Sequence, residues 1–304
     1  MRARSARLDR NTIRGLSAIL LWSATVALAR RIAEQVGPLT AGAAVYATAG
    51  LFLGGHLLVR ERSLKKLRSL PRLHLFGCGA LFLIYTAALF LGLGLAANRH
   101  QAIEVALLNY LWPALTLLFS LPLLGKRAGA GLVPATLLAL FGVFLVLTPG
   151  ASFSWRSFLA NLSRNPAAYA LGLTAAVSWA LYSNLTRRWG EDGSSNAVLL
   201  FTLGTGAAFW LVRFFHPEPG AWTARAAAET ALLALGTGVA YVFWDVAMRR
   251  GDLVLVAACS YLTPFLSTLV SCVYLGVLPE AGVWLGSLLI VAGSFWSWRS
   301  IVRT

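Results

Sequence analysis

Arg99-His-Gln-Ala-Ile-Glu-Val-Ala-Leu-Leu-Asn-Tyr-Leu-Trp-Pro113 and Arg250-Gly-Asp-Leu-Val-Leu-Val-Ala-Ala-Cys-Ser-Tyr-Leu-Thr-Pro264 are two copies of one segment, 151 residues apart. The match extends without a gap from 96–144 to 247–295, with 18 identities in 49 positions. They include Ala96/Ala247, Arg99/Arg250, Tyr110/Tyr261, Pro113/Pro264, Gly125/Gly276, Gly131/Gly282 and Gly142/Gly293. Coincidence of common Leu and Ala would not align Tyr-Leu-x-Pro together with three glycines. Upstream, Gly15/Gly172, Trp22/Trp179, Arg30/Arg187 and Arg31/Arg188 match at an offset of 157. A repeat of this length defines the architecture before any motif is considered.

The repeat is written in apolar residues. The 304 residues are 58% hydrophobic and only 12% charged, with 26 Lys+Arg against 11 Asp+Glu, a formal net charge of +15. A soluble domain carries about twice that share of charge, and disorder needs low hydrophobicity. So little total charge also makes a nucleic-acid partner a poor reading of the basic balance. A polytopic membrane protein remains. Stretches free of Asp, Glu, Lys and Arg run 15–29, 35–59, 73–98, 105–125, 128–155, 165–186, 193–212, 230–244, 253–279 and 281–298. A span needs about 20 mostly apolar residues, so the ten stretches predict ten transmembrane helices. Arg14 and Arg30 snorkel at the ends of the short first span, and the eighth continues past Asp245 to Met248. The expected fold class is therefore all-α integral membrane, since lipid leaves the backbone no other partners than its own.

Ten spans in two copies make five per half. Five is odd, so the second half enters from the opposite face, giving inverted-topology repeats. The boundaries read as a basic N-terminus at 1–14, a first repeat at 15–148, and an outer loop at 149–166. A second repeat follows at 167–299, then a short C-terminus at 300–304. Lys and Arg are retained on the cytoplasmic side; 19 of the 26 fall on the side that holds both termini, 7 on the other. Both termini are thus expected in the cytoplasm. Arg2, Arg4, Arg7, Arg10 and Arg14 before Val26-Ala27-Leu28-Ala29 mimic a cleaved signal peptide, but cleavage would delete a helix whose partner lies later in the chain. In the outer loop, Trp155, Phe158, Leu159 and Leu162 recur at helical spacing, predicting a short helix on the outer leaflet.

Inverted halves can exchange conformations, which is the architecture of alternating access with a site near the midplane; a channel can share the symmetry. Enzyme signatures fail. No phosphate-binding loop is present, since Gly125-Lys126-Arg127 lacks its upstream glycine. Gly92-Leu-Gly94-Leu-Ala-Ala97 lies inside a span and reads as helix packing through small residues. His56, His74, His100 and His216 have no metal-ligand spacing, and Cys78, Cys259 and Cys272 read as small apolar fillers. No cofactor or metal is expected.

Two acids are candidates by their position in or near spans. Glu104 is read either as an i,i+4 partner of His100 at the outer surface or as a proton or substrate-amine site. Asp245 stands four residues before Arg249, with the same two readings. Aromatic residues supply the other pattern. Trp296 and Trp298 beside Arg299 read as interfacial anchors, whereas Tyr46, Tyr85, Trp112, Trp179, Tyr182, Tyr241 and Trp244 fall in mid-span. They are read as core packing or as a lining that stacks on a flat substrate. Trp179/Tyr182 and Tyr241/Trp244 each share a helix face. Pro113 and Pro264 are expected to kink helices four and nine.

Ten helices in inverted five-helix halves, each with a Pro-centred helix followed by Leu-Gly…Gly, resemble the drug/metabolite transporter superfamily, EamA type. The 99–113 segment, with Leu20-Leu-Trp-Ser23 and Ser260-Tyr-Leu-Thr-Pro264, is similar to that of the aromatic amino acid exporters of bacterial inner membranes. The resemblance covers essentially the whole chain. It implies a multi-pass inner-membrane protein that exports aromatic amino acids, and some flat aromatic cations, through a central cavity. It carries over the His100–Pro113 stretch as a motif, with Glu104 and Trp112 in it. Together with the mid-span aromatics read above from their position alone, the expected lining comprises Tyr46, Tyr85, His100, Trp112, Trp179, Tyr182, Tyr241 and Trp244. The partners expected are a small-molecule substrate and the bilayer; the alternatives are a multidrug exporter of aromatic cations and a passive channel.

Overall fold

The structure is a computed structural model and describes residues 9–61, 67, 69–148, 155–191, 196–275 and 281–302. Within these, the side chains at 24–27, 30, 61, 99, 271, 272, 274, 275 and 302 fall outside the description. So do Arg2, Arg4, Arg7, Arg62, Lys65, Lys66, Arg68 and Arg303, which enter the charge balance above.

The regular elements of the described chain are helices but for one pair of two-residue strands. The helices are α1 (Arg10–Val36), α2 (Pro38–Glu61), a π-helical segment (Leu73–Cys78) leading into α3 (Gly79–Gly94), α4 (Arg99–Asn109) and α5 (Trp112–Leu124). After them come α6 (Leu132–Leu147), α7 (Trp155–Arg164), α8 (Pro166–Trp189), α9 (Ala197–Phe215), α10 (Ala224–Arg250), α11 (Leu253–Cys259), α12 (Thr263–Leu275) and α13 (Ala281–Ser300). Seven of these segments are long and apolar enough to cross a membrane, and α6 is apolar but shorter. The long helix α8 misses that measure because it is rich in small and polar residues. In α8 half the residues are buried inside the protein, Ser178, Ser183, Asn184 and Thr186 among them. Such a helix lies in the interior of a bundle, where lipid does not test its hydropathy.

The offset of the sequence repeat reappears in the backbone. α5 begins at Trp112 and ends at Leu124, and α12 begins at Thr263 and ends at Leu275, 151 residues on at both ends. Each follows a break: Tyr110-Leu111 after α4, and a 3-10 turn at Ser260–Leu262 after α11. This corrects the expectation of kinks. Pro113 and Pro264 each stand second in a new helix, where the missing N–H has no helical acceptor to lose and the fixed φ favours the first turn. Neighbour relations follow the same twofold pattern: α1 packs on α10 as α3 packs on α8, while α2 meets α9 and α6 meets α13. The α6–α13 crossing is close because both helices present glycine, with Gly142 against Gly286 and Gly293 against Ala135 and Ala139.

Helix ends gather on two faces. On one, Asp9 caps α1 by accepting from Asn11 N and Thr12 N; the Thr12 hydroxyl, donating to Asp9 at 2.6 Å, holds that carboxyl below its ordinary range. Thr12 Oγ1 accepts from Asp252 N at 2.8 Å. Arg188 donates to Leu123 O, Arg249 to Glu191 O, and Arg127-Ala128 pairs antiparallel with Ile301-Val302. On the opposite face, Glu218 caps α2 by accepting from Leu39 N and Thr40 N, both at 2.8 Å. Gly37, at φ 90°, makes the elbow between α1 and α2; a side chain there would collide with the Glu218 carboxylate. The face joined through residues 9–12, 123–128, 187–191, 248–252 and 300–302 is the one carrying the excess of Lys and Arg.

A Cβ at Gly142 would stand 2.5 Å from Gly286 O, whereas one at Gly204 would meet nothing within 4 Å. Gly142→Leu is therefore expected to destabilise the protein by about 1–3 kcal/mol or more, read as a lower thermal unfolding midpoint in detergent. Gly204→Ala should leave the midpoint unchanged; equal midpoints for both variants would contradict the close crossing.

Candidate functional site

Aromatic side chains from both halves converge between α1, α3, α8 and α10. Trp22 on α1 and Trp179 on α8, matched in the sequence repeat, lie with ring centroids 5.7 Å apart, edge to face. Trp22 also contacts Tyr241 at 5.6 Å and Trp244 at 5.2 Å. Trp179 stacks on Tyr182 at 5.0 Å and meets Tyr85 at 4.6 Å. Trp112, first residue of the half-helix α5, packs edge-on against Trp244 at 5.4 Å and Trp179 at 6.3 Å. The sharing of a face by residues three apart is what brings Trp179/Tyr182 and Tyr241/Trp244 into one cluster. Polar tips are paired within it: Tyr46 and Tyr241 share a hydrogen bond between their hydroxyls at 2.9 Å, and Trp244 Nε1 donates to Ser183 Oγ at 3.2 Å.

Above the cluster is a cavity of about 250 Å³ between α1, α2, α3 and α10. Its floor is Trp22, Tyr46, Tyr85 and Tyr241, and its walls rise past Gly42 and Thr237 to Ala33 and Pro38 at the α1–α2 elbow. It therefore points to the face opposite the one rich in Lys and Arg. The described residues that line it carry no formal charge; hydroxyls of Tyr46, Tyr85, Tyr241 and Thr237 supply its polarity. A second cavity of similar volume lies between α2 and α10 beside Phe52, His56 and Phe243 and holds no such ring floor.

The expected site residues thus divide. Tyr46, Tyr85 and Tyr241 line the cavity. Trp112, Trp179, Tyr182 and Trp244 are buried beneath it as the support of the floor. His100 is not brought there: it is exposed at the start of α4. Trp22 and Phe82 belong to the cluster and are absent from the expected lining; Phe82 sits 4.7 Å from Tyr241. For Trp22 the signal was its repeat match with Trp179. Phe82, in a span full of Leu and Phe, has no distinguishing mark.

Neither acid reaches the cavity. Glu104 is buried, and its Oε2 accepts from Asn161 Nδ2 at 3.2 Å and from the Tyr169 hydroxyl. The i,i+4 pairing with His100 is corrected accordingly. Asn161 comes from α7, whose Phe158 and Leu162 dock on Val105 and Tyr169 while Trp155 and Leu159 face outward. Glu104 thus fastens the short amphipathic helix and the start of α8 to α4. Asp245 pairs with Arg249 as its spacing predicts, Oδ2 accepting from Nε at 2.9 Å and Nη2 at 2.8 Å. Among the described residues no group of three or more His, Cys, Asp or Glu is placed to hold a metal ion.

Comparison with known proteins places this geometry. The profile of the EamA-like transporter family matches twice, over residues 12–148 and 166–299. The aromatic amino acid exporter YddG of Escherichia coli (strain K12) is 35% identical over 293 residues, covering 96% of this chain and 98% of that protein. The YddG of Ancylobacter novellus is 33% identical, covering 93% and 95%. A solved crystal structure superposes with a TM-score of 0.80 at 31% identity, over 94% of this chain and 96% of the other.

Removing the Tyr169 hydroxyl leaves the buried Glu104 carboxylate short of a donor. Tyr169→Phe is expected to lower stability by about 1–3 kcal/mol, measured as thermal unfolding in detergent, with Glu104→Gln milder. A Glu104→Gln variant of unchanged stability that no longer transports would contradict the anchoring role.

Proposed function

The chain belongs to the EamA-like transporter family, so it is a multi-pass membrane transporter and not an enzyme, and on that premise we propose that it exports aromatic amino acids and similar small aromatic solutes. The chain crosses a bacterial inner membrane ten times as two inverted five-helix repeats, 15–148 and 167–299, with both termini in the cytoplasm. Its conformation faces outward, because the cavity rises from the ring floor toward the α1–α2 elbow, away from the Lys- and Arg-rich face.

The observation that carries the substrate class is the uncharged, ring-floored cavity formed by Trp22, Tyr46, Tyr85 and Tyr241. An aromatic side chain laid on that floor gains about 0.5–1.5 kcal/mol per ring contact beyond area burial. The ammonium and carboxylate of an amino acid neutralise each other, and the hydroxyls of Tyr46, Tyr241 and Thr237 are sufficient to orient them. A flat cation would bring a net charge into a cavity whose described lining offers no counter-charge, which favours the zwitterion. Transport proceeds by alternating access: the halves, joined across Trp22 and Trp179, rock about the cluster so that the floor is reached from one face at a time. The breaks before Pro113 and Pro264 divide helices four and nine at matched points, so each outer and inner half-helix can move with a different part of the bundle.

Purified protein in liposomes preloaded with unlabelled phenylalanine should take up labelled phenylalanine by counterflow, saturably. Trp22→Ala and Tyr241→Ala should each reduce that counterflow about three- to tenfold through lost ring contact, and Trp112→Ala should reduce it by loosening the floor, while His100→Ala leaves it unchanged. Wild-type rates in all three aromatic variants would place the substrate elsewhere. Unsaturable flux without counterflow would make the protein a channel.

A further inference from the structure

The cavity between α2 and α10 lies apart from the ring floor. α2 falls within the first stretch matched by the family profile and α10 within the second, and both are long and apolar enough to span the bilayer. They cross at small residues: a Cβ at Gly238 would stand 3.5 Å from that of Ala49, an ordinary contact. The crossing separates the two cavities. Leu233, Thr237 and Tyr241 of α10 line the ring-floored one, whereas Leu235, Gly238, Val239 and Val242 line the other, opposite Phe52 and His56 of α2. This second cavity opens sideways, since Phe52 is 42% exposed and Leu235 48%, both within spans, where exposed apolar side chains face lipid. Its lining on α2 begins at Ala49, midway along the helix, and ends at His56, about 7.5 Å short of the helix end at Glu61. The cavity is thus a groove in the leaflet on the Lys- and Arg-rich side, apolar but for the exposed imidazole of His56 at the end nearer the surface.

The walls of the groove decide what fills it. They offer no hydroxyl and no carboxylate, so water finds too few partners there, and an amino acid zwitterion would find His56 alone. Left empty, the groove would forfeit dispersion contacts on both walls. An acyl tail restores those contacts, and the bilayer supplies one at the rim. Shape drives this packing, since lipid is as apolar as the walls. The headgroup follows from the sequence. α2 leads directly into residues 60–72, in which six Lys and Arg stand against Glu61 alone, and a basic cluster next to a span attracts anionic headgroups. We propose that the groove is a binding site for an anionic phospholipid, with one acyl tail laid between α2 and α10 and His56 donating to the phosphate or glycerol ester. The tail wedges the two halves apart at their seam, with only the α2–α10 crossing between it and the solute cavity. The site is independent of which solute the protein carries.

The full chain, reconstituted in phosphatidylcholine vesicles with a small share of phosphatidylglycerol that carries a diazirine midway along one tail, tests this by photo-crosslinking and peptide mapping. Adducts should concentrate on α2 between 49 and 56 and on α10 between 234 and 243. Phosphatidylglycerol should give about fivefold more of them than phosphatidylcholine bearing the same label, the worth of one basic group near the surface. Val239→Trp, which fills the groove, and Leu235→Trp, whose ring covers its rim, should abolish them. Leu232→Trp, exposed on the same helix outside the groove, should leave them unchanged. His56→Ala should lower them about two- to tenfold, the worth of one hydrogen bond. Leu235→Trp decides the matter if Val239→Trp fails to fold. Adducts spread evenly over lipid-facing positions such as Leu51, Val59 and Leu232 would overturn the site. So would undiminished groove adducts in Leu235→Trp or in folded Val239→Trp, or equal labelling from the two headgroups.

Discussion

Trp22 and Trp179 occupy equivalent places in the two copies of the repeat, and their rings meet at 5.7 Å in the interior of the molecule. Residues related by a pseudo-twofold axis can touch only near that axis, so this contact locates the seam along which the halves face each other. The rest of the aromatic cluster is arranged around it. Tyr241 and Trp244 reach Trp22 from α10, and Tyr85 and Tyr182 reach Trp179 from α3 and α8. A seam made of rings can slide or rock with little loss of contact, because edge and face contacts tolerate several tilts.

The bilayer sets the second constraint. Backbone groups in lipid must bond within their own helix, and a break is tolerated only where other protein covers it. The two breaks, at Tyr110-Leu111 and Ser260–Leu262, stand at the same point of the two repeats, with buried Trp112 just after one and buried Tyr261 inside the other. Polar groups follow the same division. Glu104 sits against Tyr169 and Asn161 toward the face of the α1–α2 elbow, and Asp245 against Arg249 and His74 toward the Lys- and Arg-rich face. The cavity between them is left without charge. Packing of α6 on α13 through glycines holds the periphery of both halves together, which leaves α1, α2, α3 and α10 around the cavity.

Much of this was legible in the residues. The gapless 151-residue offset foretold that helix boundaries would recur at that spacing, as those of α5 and α12 do, because helix starts at proline are local events. The mid-span aromatics were recognisable as a group since tyrosine and tryptophan in lipid need partners, and six of the seven expected at mid-span belong with Trp22 to one ring cluster by direct contact with Trp179 or Trp22, the seventh, Tyr46, through Tyr241. What spacing could not convey was long-range. Glu104 reads as the partner of His100 four residues before it, but the groups that bond it come from 57 and 65 residues away, on helices whose docking no local pattern encodes. His74 lies at zero exposure opposite Asp245 in a turn that departs from α-helical geometry, and the α-helical period gives no account of it. The kinks expected at Pro113 and Pro264 became full breaks, because proline is stable at a helix start as well as at a bend.

The central claim is that an aromatic solute rests on the floor made by Trp22, Tyr46, Tyr85 and Tyr241. Photo-crosslinking with a diazirine analogue of phenylalanine, followed by peptide mapping, tests it most directly. The predicted adducts fall on α1, α2, α3 and α10 at or beside those four residues, and excess phenylalanine abolishes them. Adducts confined to the second cavity, beside Phe52 and Phe243, or adducts that excess phenylalanine leaves unchanged, would contradict it.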